Sequence, residues 1–410
     1  MDMDVHSNKK NNINISIDDI LPAELVREIL MRIPIKNLVR LRCVSKLWNT
    51  LISDPNLPKS HFDLSLAPSH RLLVYPDDST KPTTVDLDAL FLDGPSKTST
   101  NVSFPPNKEN QSDDEFYIFN SCRGFIALFE DPHYIVIWNP LTRSHRVFSC
   151  EGYKNYSPMR KLLKRSAMFG FGYDASEDDY LVLFAWRNTR QMEDCLGLFS
   201  LRTNSWTTSK VTLPKDPLKK RIISLSGVFL NGAIHWWIAP RFGTGIGIDS
   251  GGAIILVFDM IERRFWEMPV PKEIMTNYHP PGALVELGGC LAIWFSNFDK
   301  KTDIWIMKEY KVQSSWTAYK IPCFFFRPLY LSNDGDIIGF DMLKSCLAKY
   351  NVNNGEMLQS CGKFCGLNDF CMYTESLLAL PDDFMEDTNQ DQSGKCQTGK
   401  RFKRAPIWRT

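Results

Sequence analysis

The sequence predicts a small all-α segment followed by a much larger all-β domain. Apolar residues recur at three- and four-residue steps between residues 18 and 52, which is the period of an amphipathic helix. From about residue 62 the chain changes to short runs rich in aromatic and β-branched residues, separated by Gly, Pro, Asn and Asp. These runs repeat along the chain at a spacing that suits the blades of a β-propeller.

The first helix is predicted to begin near Pro22, because proline is tolerated in the first helical turn. Its apolar stripe repeats every four residues at Leu25, Ile29 and Ile33. Pro34 is predicted to end this helix, and Asn37 to cap a second one that runs to the stop signal Asp54-Pro55. A segment this short seldom buries enough apolar surface to be stable alone. We therefore expect it to pack against another surface.

The β region repeats a pair of strands joined by a short polar turn. We anchor the repeat at the residue that ends the first strand of each predicted pair. These residues are Asn139, Ser200, Asp259, Lys311 and Asn351. Their spacings of about 60, 60, 50 and 40 residues suit four-stranded blades, and we expect six blades within residues 62–382. An irregular β-sandwich is the alternative, but it requires no such period. The run SLLAL at residues 376–380 is predicted to close the ring beside RLLVY at residues 71–75.

Bulk composition excludes several classes of function. The 410 residues carry a formal net charge of +1, which gives no general basis for binding nucleic acid or a membrane surface. No apolar run approaches the length of a membrane-spanning helix, and the polar start lacks the apolar core of a secretory signal. We expect a protein of the cytoplasm, the nucleus or both, with disordered tails at residues 1–16 and 383–410. Its 11 cysteines are expected to be free and mostly buried thiols.

Candidate metal and catalytic residues are few. Cys361, Cys365 and Cys371 fit no common zinc spacing, so no metal and no cofactor is expected. His235 lies in the strand-like run AIHWWI and is predicted to be a packed core residue. The acidic run at residues 177–179 is predicted to be a solvated turn. The sequence therefore singles out no catalytic residue.

Two long loops are candidates for contact with a substrate. One is the basic segment KNYSPMRKLLKR at residues 154–165, and the other is the glycine-rich FGTGIGIDSGG at residues 242–252. The glycines of the second loop are spaced differently from the dinucleotide-binding fingerprint and lead into no helix. Long loops on a rigid scaffold often carry recognition, although a solvated loop is an equal alternative. The candidate substrate-binding residues are Lys154, Arg160, Lys161, Arg241 and Phe242.

The N-terminal segment resembles the plant form of the F-box motif. The matching residues are ILPAELVREILMRIPIKNLVRLRCVSKLWNTLISDPNL. The resemblance implies a three-helix F-box over residues 17–60 that binds a Skp-family adaptor, which in turn joins a cullin and RING module. It implies that the residues facing the adaptor or supporting the F-box are Leu21, Pro22, Leu25, Ile29, Leu30, Ile33, Leu38, Leu41, Val44, Ser45 and Trp48. Trp48 is the expected anchor, because large aromatic residues dominate the energy of many interfaces. Cys43 is expected to be a packing residue.

The β region resembles the kelch-like, F-box-associated domain that follows this motif in a large plant family. The resemblance rests on GFIALF, IVIWNPLTR, FGFGYDASEDDYLV, LFSLRTNSW, GVFLNGAIHWW, VFDMIERRFWEMPVP, LGGCLAIW and DIWIMKEYKVQSSW. The S-locus branch of this family is similar in architecture. The family implies a non-catalytic substrate receptor of an SCF-type ubiquitin ligase that binds a protein target through the β domain. The alternatives are a β-propeller enzyme and a scaffold outside such ligases, in which the helices only cap the propeller.

Overall fold

The computed structural model contains an N-terminal helical unit and a closed six-bladed β-propeller. The structure describes residues 21–64, 69–76, 82–93, 98–102, 116–130, 134–149, 167–188, 191, 193–213, 221–222, 226–239, 253–277, 279–297, 299–332, 334–361 and 367–381. The helices of these ranges are α1 (Ala23–Arg32), α2 (Ile35–Leu41), α3 (Lys46–Ile52), α4 (Asn56–Leu64), α5 (Leu87–Asp93) and α6 (Lys272–Asn277). Within these ranges no helix combines the length and the apolar character needed to cross a membrane.

The chain after Pro34 forms two helices where the sequence predicts one. α2 begins directly after Pro34, whose φ of −54° already suits a helix start, so Asn37 lies inside α2 and the predicted cap is wrong. A turn at residues 42–44 separates α2 from α3. Ser45 is the N-cap of α3, because its hydroxyl accepts a hydrogen bond from the Trp48 backbone N–H at 3.1 Å. α4 then extends the helical unit past the predicted stop.

The strands of the propeller follow one another with few interruptions. They are β1 (His70–Pro76), β2 (Thr83–Asp86), β3 (Ser99–Asn101), β4 (Phe116–Cys122), β5 (Phe125–Glu130), β6 (Tyr134–Trp138), β7 (His145–Ser149), β8 (Ala167–Asp174), β9 (Asp179–Asn188), β10 (Glu193–Ser200), β11 (Ser205–Val211), β12 (Arg221–Ile222), β13 (Val228–Leu230), β14 (Ala233–Ala239), β15 (Ile254–Asp259), β16 (Arg264–Met268), β17 (His279–Leu287), β18 (Cys290–Ser296), β19 (Thr302–Met307), β20 (Trp316–Ile321), β21 (Phe326–Leu331), β22 (Ile337–Asp341), β23 (Cys346–Tyr350), β24 (Met357–Cys361) and β25 (Leu367–Thr374).

These strands form six antiparallel sheets, which confirms the predicted propeller and its blade number. Blade 1 has the order β25-β1-β2-β3, and blade 2 consists of β4 to β7. Blade 3 consists of β8 to β11, blade 5 of β17 to β20 and blade 6 of β21 to β24. In blade 4 the innermost position is divided between β12 and β13, which both pair with β14, followed by β15 and β16. The innermost strands of neighbouring blades lie side by side around a central channel.

The ring is closed by β25, not by the predicted segment 376–380. β25 pairs with β1 in a register that runs from His70 opposite Thr374 to Val74 opposite Phe370. The other edge of β1 is occupied by β2, so no edge remains for residues 376–380. That segment instead runs past blade 2, where the side-chain amide of Asn139 donates to the Ser376 carbonyl at 3.0 Å.

The predicted anchor residues cap the turns between the third and fourth strands. The side-chain oxygens of Asn139, Asp259 and Asn351 each accept a hydrogen bond at 3.0 Å from the backbone N–H two residues later. Ser200 accepts from the third following N–H, also at 3.0 Å. Lys311 is the exception, because it lies inside the longer turn after β19. All five anchors thus lie at the turn from third to fourth strand, but at Lys311 the preceding strand ends earlier than predicted, at Met307.

Two polar residues of the β domain, His235 and Asp179, are buried and hydrogen-bonded. His235 is 0% exposed, as predicted, with Nε2 at 2.8 Å from the Tyr310 hydroxyl and Nδ1 at 3.1 Å from the Val228 carbonyl oxygen. Burial lowers the pKa of His235 to about 4. Asp179 departs from the predicted solvated turn, because it is buried and accepts a hydrogen bond from the Arg202 backbone N–H at 2.8 Å. Both groups satisfy their polar atoms inside the protein.

Candidate functional site

The helical unit has a core of its own. The buried side chains of this core are Val26, Leu30, Leu38, Trp48, Ile52 and Leu57. An ion pair between Arg27 and Asp54 at 2.7 Å joins α1 to the turn after α3. His61 Nε2 lies 2.9 Å from the Ile33 carbonyl oxygen and so ties α4 to the end of α1. These contacts hold four short helices in one arrangement.

The predicted F-box residues fall into three groups by burial. The buried ones are Leu30, Leu38 and Trp48. Those of intermediate burial are Leu21, Ile33, Leu41 and Ser45. The exposed ones are Pro22, Leu25, Ile29 and Val44. A residue must present surface to contact another protein, so only the exposed group and parts of the intermediate group are available for docking.

The exposed group contains aliphatic side chains that have much of their surface in solvent. Leu25 is 52% exposed and Ile29 is 38% exposed, and the two lie one helical turn apart on α1. Val44, in the turn between α2 and α3, is 47% exposed. Val39 on α2, which the sequence prediction omits, is 44% exposed. Leu64, at the end of α4, is a fifth exposed aliphatic side chain of the unit, at 65%. Exposed aliphatic side chains are candidates for contact with another protein. We call Leu25, Ile29, Val39 and Val44 the helical apolar surface.

Trp48 and Cys43 do not occupy the positions expected of them. Trp48 is only 8% exposed and packs within the core of the helical unit, which favours a supporting role over that of an anchor. Cys43 is exposed, and its thiol donates to the Arg40 carbonyl oxygen at 2.8 Å, so it is not a packing residue. The helix period alone could not separate these roles, because apolar residues occur on both faces of the helices.

The helical unit is fastened to the propeller through Arg123. The Arg123 guanidinium carbon lies 4.7 Å from the centre of the Phe62 ring in α4 and 4.4 Å from that of Tyr173 in β8. The same guanidinium forms an ion pair with Asp63 at 2.7 Å. Arg123 and Gly124 both have positive φ and form the tight turn between β4 and β5. This turn therefore aims a cation between two aromatic rings, one from each domain.

Further contacts extend this junction. Lys59 in α4 pairs with Asp178 at 2.8 Å, and the Tyr173 hydroxyl also donates to Asp178. The hydrogen bonds from Lys59 and Tyr173 lower the pKa of Asp178. Lys36 in α2 pairs with the buried Glu375 at 3.4 Å, and Leu377 packs against the core of the helical unit. The junction thus spans blades 1 to 3 and two helices.

These contacts identify which end of the propeller the helical unit occupies. Strands alternate in direction within each blade, so the turns from first to second strand all lie at one end. Arg123 and Asp178 belong to such turns, and we call this end the junction face. The turns from second to third strand and the links between blades lie at the opposite end, which we call the distal face. The two faces are on opposite sides of the ring.

A cavity of about 1390 Å³ occupies the central channel and reaches the helical unit, where Ile35 and His61 contribute to its lining. Its polar groups include His70, whose pKa is lowered by burial, and Asp88, whose pKa is raised by burial. The Tyr330 hydroxyl donates to Asp88 at 3.2 Å. Across the described ranges, no group of three or more His, Cys, Asp or Glu side chains is arranged to hold a metal ion.

Cysteine chemistry is suppressed where the thiols are buried. Cys122, Cys195, Cys323 and Cys346 are buried free thiols. Burial raises the pKa of each, for Cys323 to about 12, so these thiols stay protonated near neutral pH. A protonated thiol is a poor nucleophile.

The five predicted substrate-binding residues, Lys154, Arg160, Lys161, Arg241 and Phe242, lie outside the described residues. The strands that flank them are described. β7 and β8 flank the first loop, and β14 and β15 flank the second. β7 and β14, which precede these loops, both end at the distal face. Substrate contact by these residues stays a prediction.

Comparisons with known proteins give the same division of the chain. Residues 19–60 match the F-box domain, and residues 79–333 match the F-box associated beta propeller domain. The F-box/kelch-repeat protein At3g23880 of Arabidopsis thaliana is 27% identical over 342 residues, covering 82% of this chain and 88% of that protein. The F-box protein CPR1 of Arabidopsis thaliana is 26% identical over 377 residues, covering 82% and 83% of the two chains.

Proposed function

Because this chain belongs to the F-box proteins that carry an F-box associated beta propeller domain, we propose that it is the substrate-recognition subunit of an SCF-type ubiquitin ligase. In this proposal the helical unit binds a Skp-family adaptor, which joins it to a cullin and RING module, and the propeller binds a protein target. The observation that carries the proposal is an exposed apolar surface on a helical unit docked to a closed propeller.

The helical apolar surface is the proposed contact with the adaptor. Leu25 and Ile29 are exposed on α1, about a quarter turn around the helix from the core residues Val26 and Leu30. Burying an exposed leucine or isoleucine contributes about 1.5–3 kcal/mol, and these two side chains have roughly half of that surface available. We assign Leu30, Leu38 and Trp48 to the support of this surface.

The proposed receptor is not an enzyme. Ubiquitin transfer chemistry would belong to other subunits, so the chain only has to hold its two partners in a fixed relation. The fixed junction through Arg123 supports this role, because it sets the direction of the distal face relative to the helical apolar surface. The proposed compartment is the cytoplasm, the nucleus or both.

Adaptor binding tests the proposal. The double variant Leu25→Ser and Ile29→Ser removes apolar area worth about 2 kcal/mol, so we expect the dissociation constant for a purified Skp-family adaptor to rise roughly thirtyfold by calorimetry. A matched control is Val147→Ser, which changes a 47% exposed aliphatic residue on blade 2 and should leave the affinity unchanged. Thermal unfolding of each variant establishes that it is folded. Wild-type affinity in the folded double variant, or no adaptor binding by the wild type, would refute the assignment.

A further inference from the structure

The distal face of the propeller carries a cluster of exposed apolar side chains. Met342 and Leu343, in the turn between β22 and β23, are 46% and 64% exposed. Phe324 and Phe325, in the link between β20 and β21, are partly exposed, and their ring centres are 3.8 Å apart. We call these four residues the distal patch. They belong to a turn from second to third strand and to a link between blades, so all four lie at the distal face.

Hydrogen bonds show that the two halves of the distal patch adjoin. The Met342 backbone N–H donates to the Phe325 carbonyl oxygen at 3.2 Å. The Thr302 hydroxyl donates to the Cys323 carbonyl oxygen at 2.7 Å and accepts from the Phe326 N–H at 3.1 Å. The link that carries both phenylalanines is therefore held between the start of β19 and the turn of blade 6.

The backbone of this patch is strained. Phe325 has a φ of +60°, a left-handed conformation that costs a bulky residue about 1–2 kcal/mol. The carbonyl of Phe325 is fixed by the bond from Met342, and the next residue is fixed by Thr302. The Phe325 side chain is partly exposed in this conformation. Strain that the surroundings maintain is common at binding sites.

Basic side chains surround the distal patch. Those that are exposed on the adjoining turns and strand ends are Lys300, Lys301, Lys320 and Lys344. Arg327 lines the central cavity instead, where its guanidinium carbon lies 4.2 Å from the centre of the Phe370 ring. The acidic side chains here are fewer. Asp299 is exposed, Asp303 accepts a hydrogen bond from the Asn297 amide at 2.9 Å, and Asp341 is buried and pairs with Lys344 at 3.4 Å. The rim of the patch is therefore positively charged on balance.

We propose that the distal patch binds a segment of a partner protein in which apolar side chains are flanked by acidic ones. The apolar residues of that segment would cover Phe324, Phe325, Met342 and Leu343, and its carboxylates would face the basic rim. A second copy of this chain is a poorer occupant, because a symmetric contact would bring two basic rims together. This inference rests on the proposed function, since it gives the class of substrate segment that the receptor takes.

Peptide selection on the full-length chain tests this inference without the adaptor. A random library of twelve-residue peptides is selected on the wild type, and the dissociation constants of the enriched peptides are measured by fluorescence anisotropy. We expect enrichment of Asp and Glu beside large apolar residues. Met342→Ser with Leu343→Ser should weaken binding at least tenfold, and Lys300→Glu with Lys301→Glu should weaken it and reduce its salt dependence. The control Ile261→Ser changes a 57% exposed residue at the junction face and should bind like the wild type.

Several results would overturn the inference. They are the absence of any enriched peptide and the enrichment of peptides without acidic residues. A third is equal peptide affinity of the Met342→Ser, Leu343→Ser double variant and of Ile261→Ser. Self-association that Leu343→Ser abolishes would assign the patch to a second copy. Residues 382–391, DDFMEDTNQD, are acidic and are included as a synthetic peptide. Binding of this peptide to the patch in preference to the library would assign the patch to the chain's own tail. A failure of peptide binding would leave the adaptor measurement unaffected, and a failure of adaptor binding would leave the peptide measurement unaffected, so the two proposals can fail separately.

Discussion

We expect Arg123→Ala to loosen the junction between the helical unit and the propeller while both domains stay folded. Arg123 contacts both domains, through the Phe62 and Tyr173 rings and the Asp63 carboxylate. The backbone conformation should survive the change, because alanine and arginine pay a similar cost for the positive φ at this turn. The variant therefore removes interactions of the side chain alone.

The size of the effect follows from the exposure of the groups. The Arg123 side chain is 16% exposed and that of Asp63 is 42% exposed, so Asp63 can return to water and the ion pair contributes only about 0.5–1 kcal/mol. Each aromatic contact contributes about 0.5–2 kcal/mol. Tyr173 belongs to the propeller, as Arg123 does, so only the Phe62 contact and the Asp63 ion pair cross the junction. Their sum of about 1–3 kcal/mol corresponds to a roughly 5- to 150-fold shift toward the undocked form.

Hydrogen exchange measures this shift. α4 is short, and a helix of this length is marginal without packing, so its backbone amides should lose at least fivefold protection in Arg123→Ala. The amides of β5, in the same blade, should keep theirs. The matched control is Arg202→Ala, which breaks a 2.6 Å pair with Glu177 whose side chains are 49% and 57% exposed. Unchanged protection of α4, or an equal loss in β5, would refute this account of the junction.

Three further predictions concern stability. Gly124→Ala should cost about 2–4 kcal/mol in urea unfolding, because a Cβ there would overlap the Ser376 side chain and φ is +88°. Ser45→Ala should cost about 1 kcal/mol in thermal unfolding, because α3 loses its N-cap. Burial lowers the pKa of His235 to about 4, so between pH 6.5 and 4 the unfolded chain binds more protons. The contribution of neutral His235 to the free energy of unfolding is therefore fully present above about pH 6.5 and is lost as the pH falls toward 4. In urea unfolding, acidification from pH 7 to 4 should lower the free energy of unfolding of the wild type by about 3 kcal/mol more than that of His235→Gln.

Each of these has a control. Gly232→Ala combines a φ of +73° with open space around the new Cβ, so it measures the backbone cost alone. If Gly124→Ala lowered the free energy of unfolding by no more than Gly232→Ala does, the overlap with Ser376 would contribute nothing. Thr50→Ala, an exposed position of α3 itself, should cost less than Ser45→Ala. Parallel pH profiles of the wild type and His235→Gln would show that this histidine contributes nothing to the pH dependence.

The sequence predicts the repeating parts of the fold well, because they depend on local periodicity. The bladed architecture follows from the recurrence of a strand, a capped turn and a second strand, and the capping residues Asn139, Ser200, Asp259 and Asn351 mark four of the six blades. The ring-closing strand was misplaced because SLLAL is more apolar than the true strand LNDFCMYT. Leu378 and Leu380 of SLLAL are buried among residues of blades 2 and 3, and Leu377 packs against the helical unit, which periodicity cannot distinguish from strand pairing.

The sites depend on contacts between distant parts of the chain, which periodicity does not encode. Leu25 and Leu30 are the same residue type in the same helix, yet one is 52% exposed and the other 0%, because only the packing of four helices decides which face is covered. Arg123 reads in sequence as an ordinary turn residue, and its role appears only when Phe62 and Tyr173 are placed around it. The distal patch likewise joins a link and a turn that belong to different blades.

Closure of the ring by β25 determines when the propeller can form during synthesis. His70 and Thr374 are paired in blade 1 and are separated by 304 positions. At about 5–20 residues per second, β1 leaves the ribosome roughly 15–60 seconds before its partner strand has been made. Throughout that time blade 1 has an open inner edge, while the helical unit is already complete. A nascent chain would therefore present its helical apolar surface well before it has a finished distal face, and a chain terminated before residue 367 would never close the ring.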